Sequence, residues 1–415
     1  MTPSTGPENP SQGRTAHAPS SLPAPALPAG LPPVEADSAS HSQRVEAHLQ
    51  ECLAASPAGF LSFEEWMAQA LYAPGLGYYT AGNTKFGAAL PTGDFTTAPE
   101  MTSVFGQVLA RQVAQVLQMT GTDTVLEFGA GTGALAASLI PALQALGMEV
   151  KYQILEVSAD LAARQAERLA AFTPQVQWLD TLPTAFEGCV IANEVLDAMP
   201  VTLFRWNEAG ELMELGVQAR PEHTPPFGWA ERPAAPELQS AVAQRMPALP
   251  GYRSEINLQA ETWVRQLGGW LRTGAALLID YGFPQREYYH PQRLTGTLMC
   301  HFRHHSHDQP LVLAGIQDIT AHVDFTAMAD AALEGGLDVL GYTNQARFLL
   351  NCGLLETVQQ HMHELDAATT QATLSAVHKL VSEAEMGELF KVLAVSRGME
   401  PPLLGFSRGD RRDTL

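Results

Sequence analysis

The chain has 415 residues, 46% of them hydrophobic, and its 44 acidic against 24 basic residues give a formal net charge of -20. This length supports one large α/β core with substantial insertions, while the charge excludes broad electrostatic attachment to nucleic acid or anionic lipid and suits either a basic peptide partner or solubility alone. Cys52, Cys189, Cys300 and Cys352 form no C-x-x-C pair, as expected of reduced thiols in a cytoplasmic protein, and the longest uncharged stretch, Phe128 to Met148, holds glycines and Pro141 and is not a membrane span.

Residues 1–44 are rich in Pro, Ser and Ala, with no periodic apolar face, and read as a disordered tail. They lack the basic start and apolar run of a secretory signal and the arginine-rich helix of a mitochondrial presequence, so a bacterial cytoplasm is expected. Order is expected from Val45, and Ser62-Phe-Glu-Glu65 is a capping box opening a helix with Trp66 and Leu71. Pro74-Gly-Leu-Gly-Tyr-Tyr79 and Gly93-Asp94-Phe95 flank a segment without periodicity that reads as a lid. Asp94 has no evident structural task and is a functional candidate. Thr97-Ala-Pro-Glu100 then opens a helix through Met119, with Thr97 as cap and Glu100 as its reciprocal partner. Residues 45–120 therefore read as a helical cap and lid.

Thr124-Val-Leu-Glu-Phe-Gly-Ala-Gly-Thr-Gly-Ala-Leu135 places a carboxylate and three alternating glycines where a strand becomes a helix. Gly129, Gly131 and Gly133 let the backbone bend around Ala130 and approach a ligand, with free amides directed at it. Gly129-x-Gly131-x-x-Ala134 also satisfies a dinucleotide fingerprint, and Glu156, ending the strand Tyr152–Leu155, suits a ribose hydroxyl in either case. Glu127 separates the two: at the mouth of the turn it can face the ammonium of S-adenosylmethionine, whereas it would repel a pyrophosphate.

A helix around Ser158 to Ala171, a strand near Val176 to Leu179 and the strand Gly188 to Asn193 continue a β-α-β-α-β-α-β order. Asn193 and Glu194 fall at the carboxyl end of the fourth strand, beside the crevice where open parallel sheets bind ligands. Asp197 follows three residues later. Val201–Trp206 and Leu212–Val217 read as a strand pair within an insertion at about 201–256. A helix from Leu258 to Leu271 and a fifth strand, Ala275 to Asp280, resume the core. Further insertions are expected at about 284–325 and 345–386, with sixth and seventh strands at Leu337–Tyr342 and Leu389–Val395 in a core running from 121 to 415. His301-Phe-Arg-His304-His305-Ser-His307-Asp308 matches no standard ligand spacing, and no metal is expected. His322 could reach the substrate pocket or simply hold a loop.

Five ordered segments carry a resemblance: Glu127 to Gly133, Asn193-Glu-Val-Leu-Asp-Ala-Met-Pro200, Gly93-Asp-Phe-Thr-Thr-Ala-Pro-Glu100, Ile279-Asp-Tyr-Gly282 and Gly315-Ile-Gln-Asp-Ile-Thr-Ala-His-Val-Asp-Phe325. From about Phe60 onward the chain resembles the MidA family of class I methyltransferases, whose mitochondrial members are arginine methyltransferases that assist assembly of respiratory complex I. The resemblance implies a Rossmann-like α/β fold, its seven-stranded, mostly parallel sheet closed by an antiparallel last strand. S-adenosyl-L-methionine is the implied methyl donor.

Glu127, Gly129, Ala130, Gly131, Gly133, Glu156 and Asn193 are expected to hold the donor. Glu194, Asp197, Asp94 and His322 are the candidates for catalysis, because a guanidinium acceptor stays charged and needs carboxylates to grip its fork. The expected partner is a protein presenting an arginine. A homodimer, a non-catalytic assembly factor and a nicotinamide-dependent oxidoreductase stay open.

Overall fold

The computed structural model describes residues 25–82, 97–364 and 366–415. Its main sheet has seven strands: β1 Thr124–Phe128, β2 Lys151–Leu155, β3 Val176–Leu179, β4 Phe186–Asn193, β5 Leu271–Phe283, β6 Asp338–Asn344 and β7 Phe390–Arg397. They lie in the order β6-β7-β5-β4-β1-β2-β3. The five strands from β5 to β3 run parallel, and β7 is antiparallel to both of its neighbours. The expected α/β fold with its antiparallel last strand is the one observed.

Helices cover both faces, which is why the strands read as continuous apolar runs rather than alternating ones. Val125, Cys189, Ile191 and Leu277 pack on one side with helices α4 (Ser103–Thr120) and α5 (Ala134–Ala145). Leu126, Val190, Ala192 and Leu278 pack on the other with helices Leu258–Trp270 and Phe325–Glu334. Helix α4 thus builds the sheet's own layer instead of a separate cap, because Val104, Phe105, Val108, Leu109, Val113, Val116 and Leu117 are all buried.

Two expectations about the N-terminal region change. Order does not wait for Val45: helix α1 spans Ala36–Ala55 and buries Ser38, His41, Ser42, Val45, Leu49 and Leu53 along one face. The first turns of that face are small and polar, so they leave no apolar period to read. They are tied down by polar contacts instead: the His41 ring donates to the Leu76 carbonyl at 2.8 Å, and Arg303 pairs with Glu35 at 3.3 Å. Residues 1–24 of the expected tail lie outside the described residues.

The helix expected from Thr97 to Met119 is also broken. Helix α3 (Ala98–Met101) ends at Thr102, whose extended backbone (φ -163°) and hydroxyl, accepting from the Val104 amide at 3.3 Å, cap α4. Thr97 makes no side-chain cap. Two cap-type threonines compete here, and the second directly precedes the long apolar face.

Between β4 and β5 the chain builds an antiparallel sheet of Thr202–Trp206, Leu212–Ala219, Phe227–Pro233 and Arg253–Ile256, which Phe60–Ser62 joins at one edge. Helix α2 (Phe63–Tyr72) starts at the expected capping box, with Ser62 and Glu65 bonded reciprocally. It packs on this sheet through Trp66, edge-on to Phe227 with ring centroids 4.7 Å apart. Its last residue, Tyr72, donates to the Ala198 carbonyl at 2.9 Å, which sets the small sheet and α2 over the carboxyl edge of the main sheet.

Candidate active site

Strand register assembles the site. Phe128 pairs with Leu155 and Ala192, Leu155 with Leu179, and Asn193 with Ile279. Gly129, Glu156, Asp180, Asn193, Glu194 and Asp280 therefore emerge together along one edge.

The glycine turn has left-handed backbone at Gly129, Gly131 and Gly133, with φ of 58°, 54° and 81°. The Gly133 amide closes onto the Ala130 carbonyl at 2.8 Å. A Cβ at Gly129 would meet a Val195 methyl at 3.3 Å, whereas one at Gly131 would meet nothing within 4 Å. Gly131 therefore faces open space of the kind a ligand requires.

Glu156 is held in place. One of its oxygens accepts from the Ser158 amide and the other from Gln165, both at 2.9 Å. Gln165 also donates to the Gly131 carbonyl at 2.8 Å and accepts from Trp178 at 2.9 Å, so one buried amide fixes the acid relative to the turn. Burial raises the Glu156 pKa, against these hydrogen bonds. Next to it, Val157 is 69% exposed.

Glu127 sits deeper than expected. Strand alternation places it on the sheet face shared with Val125, the residue paired with Tyr152, and the Tyr152 hydroxyl donates to it at 2.6 Å. Burial pushes its pKa up to about 7, with the Tyr152 hydrogen bond opposing and the charge of Glu156 adding. The residue is 3% exposed, one strand residue and one step from the first glycine.

At the end of β4, Glu194 has φ of 54°, a conformation costly for a residue with a Cβ and concentrated at functional sites. Its amide donates to the Ile279 carbonyl at 2.8 Å, and its carboxyl accepts from the Asn193 amide group at 3.2 Å and from the Ala98 amide at the start of α3. Burial first, and then the charge of Asp197, push its pKa up to about 8. Asp197 is 1% exposed: one oxygen accepts from the Tyr281 hydroxyl at 2.6 Å, and the other, Oδ1, has no hydrogen-bond partner of good geometry among the described residues. Burial raises this group to about 6, against the Tyr281 hydrogen bond.

Beneath both lies Asp280. It accepts from the amides of Leu196 at 3.0 Å, Asp197 at 3.2 Å and Tyr281 at 2.9 Å, and so fixes the whole turn. Burial and its two acidic neighbours hold its pKa well above the usual carboxylate range. The fully buried Asp318 accepts from Tyr79 at 2.9 Å, and Tyr79 stacks on Tyr72 with centroids 5.4 Å apart. Among the described residues no lysine or arginine bonds to Glu194, Asp197 or Asp280. Burial without a cationic partner holds all three carboxyls above their ordinary pKa.

The other candidates divide. His322 stands behind Tyr281 (centroids 5.0 Å) and beside Phe283 (5.2 Å); burial and then the charge of Arg293 push its pKa down to about 4, so at neutral pH it backs the site as a neutral ring. Asp94 lies outside the described residues. Glu100, expected as a helix cap, instead accepts from the Thr132 hydroxyl of the glycine turn and pairs with Arg168 at 3.1 Å, joining α3 to the turn. The histidine cluster forms the hairpin Met299–Phe302 with His305–His307. No group of three His, Cys, Asp or Glu is arranged to hold a metal ion among the described residues.

Sequence reasoning did not select Tyr72, Tyr79, Gln165, Asp180, Asp280, Tyr281 or Asp318 as site residues. The signal for Asp180 and Asp280 was available: each stands at a strand's carboxyl end, as Glu156 and Asn193 do. The tyrosines and Asp318 arrive from loops whose placement depends on tertiary packing.

Residues 108–343 match the family of S-adenosyl-L-methionine-dependent methyltransferases. The mitochondrial protein arginine methyltransferase NDUFAF7 of Danio rerio is 26% identical over 390 residues, covering 86% of this chain and 88% of its own. The Drosophila melanogaster homolog is 27% identical over 394 residues, covering 84% and 86%. A Burkholderia thailandensis protein crystallised with S-adenosyl-homocysteine is 46% identical, with a TM-score of 0.84 over 93% of this chain and 100% of its own. No helix among the described residues is long and apolar enough to cross a membrane. A match over more than half the chain, together with the fold shared with a relative 46% identical, places the chain in the MidA-like family of S-adenosyl-L-methionine-dependent methyltransferases.

Proposed function

We propose that this protein transfers the methyl group of S-adenosyl-L-methionine to an arginine of a partner protein. The carrying observation is the half-buried Glu194 beside the fully buried Asp197 and Asp280, a group that has no cation of its own among the described residues and lies beside the glycine turn. The residues present fit the donor. Gly131 leaves room for it, Glu156 is preset to accept from its ribose, and Val157 and Asp180 offer its adenine an apolar face and a hydrogen-bond acceptor. When bound, the donor supplies an electrophilic methyl group on a sulfonium.

The acceptor must then be held in line, about 3 Å from that methyl group. Glu194 and Asp197 can grip two edges of a guanidinium and draw its positive charge away from the attacking nitrogen. The stacked Tyr72 and Tyr79 flank this position. The two arginine methyltransferase relatives support the choice of acceptor. The four unpaired cysteines support a reducing compartment such as the cytoplasm. The test is to incubate a cell extract with isotopically labelled donor, with and without the protein, map the labelled residue by mass spectrometry and replace it by lysine. Label on a lysine, a carboxylate or a small metabolite would contradict the arginine reading.

A further inference from the structure

The proposed transfer leaves one proton to be placed. As the acceptor nitrogen's lone pair forms the new N–C bond, the C–S bond of the donor breaks with its electron pair remaining on sulfur, and the nitrogen must then lose an N–H proton. We propose that Asp197 Oδ1 takes that proton and that Tyr281 is the positioning residue that presents it. The inference rests on the methyl-transfer reading, but its geometry stands apart from it.

Asp197 is 1% exposed and its carboxyl is favoured by the Ala198 backbone amide, yet Oδ1 has no hydrogen-bond partner of good geometry among the described residues, an arrangement costly enough to need a reason. The Tyr281 hydroxyl engages the opposite oxygen at 2.6 Å, and the Asp280 carboxyl holds the backbone amides of Leu196 and Asp197. Both contacts fix the direction in which Oδ1 points. Tyr281 itself is held: its ring packs edge-on against both His322 at 5.0 Å and Phe390 at 5.3 Å.

The titratable groups around Asp197 are Glu194 on the same turn, Asp280 and Tyr281 from β5, Asp318 from the strand Asp318–Thr320, and Tyr72 and Tyr79 from α2 and the loop after it. Behind Tyr281 stand His322, Arg293 and Lys391. Burial keeps Asp197 basic enough to accept a proton, and the Tyr281 hydrogen bond keeps it ionised enough to do so near neutrality.

Tyr281→Phe removes the hydroxyl and keeps the ring. Carboxyl carbon NMR of aspartate-labelled protein, with the Asp197 signal assigned by its loss in Asp197→Asn, follows this group without any acceptor. The Asp197 titration midpoint should move to higher pH in Tyr281→Phe, and the acidic limb of kcat should move with it while the donor's Kd stays unchanged. An unmoved midpoint overturns the inference. If Tyr281→Phe no longer binds S-adenosylhomocysteine, Asp197→Asn carries the test: it should bind that ligand yet lose transfer by about 100-fold or more, and undiminished transfer would overturn the base role. A displaced midpoint together with label on a residue other than arginine would support the placement of Asp197 and sink only the arginine reading.

Discussion

Replacing Glu194 by Gln should stabilise the protein in alkaline buffer while removing transfer. The folded protein raises this carboxyl from an ordinary 4.5 to about 8. Its favourable contribution is thus fully present below pH 4.5 and is lost as pH rises toward 8. At about 1.4 kcal/mol per pH unit the full effect is about 5 kcal/mol. Glu194 is partly exposed at its edge and shares its titration with Asp197 and Asp280, so about 2 to 3 kcal/mol is the expected observable difference. Urea unfolding of wild type and Glu194→Gln should agree most closely at about pH 4, below the unfolded pKa of 4.5, and diverge at about pH 8.5 with the variant more stable. Donor binding should survive the change, since Gln keeps the size of the group. An equal offset at both pH values would refute the idea that Glu194 is an uncompensated buried acid. Such a stability gain with loss of function is the pattern expected of a site held in a costly state.

Glu156→Ala should weaken S-adenosylhomocysteine binding by about 1 to 3 kcal/mol, read by calorimetry; unchanged affinity would remove it from the ribose site. Gln165→Leu, which cuts the tie between Glu156 and the Gly131 carbonyl, should weaken binding in the same direction, and an unchanged Kd would mean that tie does not organise the site. Gly131→Asn should leave the protein folded by circular dichroism, because asparagine tolerates the left-handed backbone there and a Cβ meets no described atom within 4 Å, yet abolish ligand-induced thermal stabilisation. Retained stabilisation would show that the donor does not approach this glycine. Glu100→Ala should release α3 from Thr132 and Arg168 and speed amide hydrogen exchange at Ala98 to Met101; unchanged protection would leave that contact without a structural role.

The sheet was legible because its signals are local. Buried strands of four to eight apolar residues, a glycine turn and helix-forming spacers fix β1 to β5 in order, and Asn193 and Glu194 reach the carboxyl edge by counting strands. What stayed hidden depends on contacts far apart in sequence. Tyr79 meets Asp318 across 239 residues, and Tyr281 meets Asp197 across 84. Neither pairing has a spacing to read. Glu127 shows a subtler gap: its position two residues before the first glycine is visible in sequence, but its bond to Tyr152, 25 residues on, is not. Helix α1 was missed because Ser38, His41 and Ser42 bury polar atoms through hydrogen bonding and close packing, which no hydropathy pattern records.

The central claim, methyl transfer from S-adenosyl-L-methionine to a protein arginine, is tested most directly by counting products. The protein is incubated with donor and an extract depleted of small metabolites. S-adenosylhomocysteine formed is compared with methylarginine released by acid hydrolysis, in parallel with Glu194→Gln. The two products should appear in equal amounts with wild type, while the variant, still binding donor, should form neither above background. S-adenosylhomocysteine formed without methylarginine, or an undiminished yield from Glu194→Gln, would contradict the account.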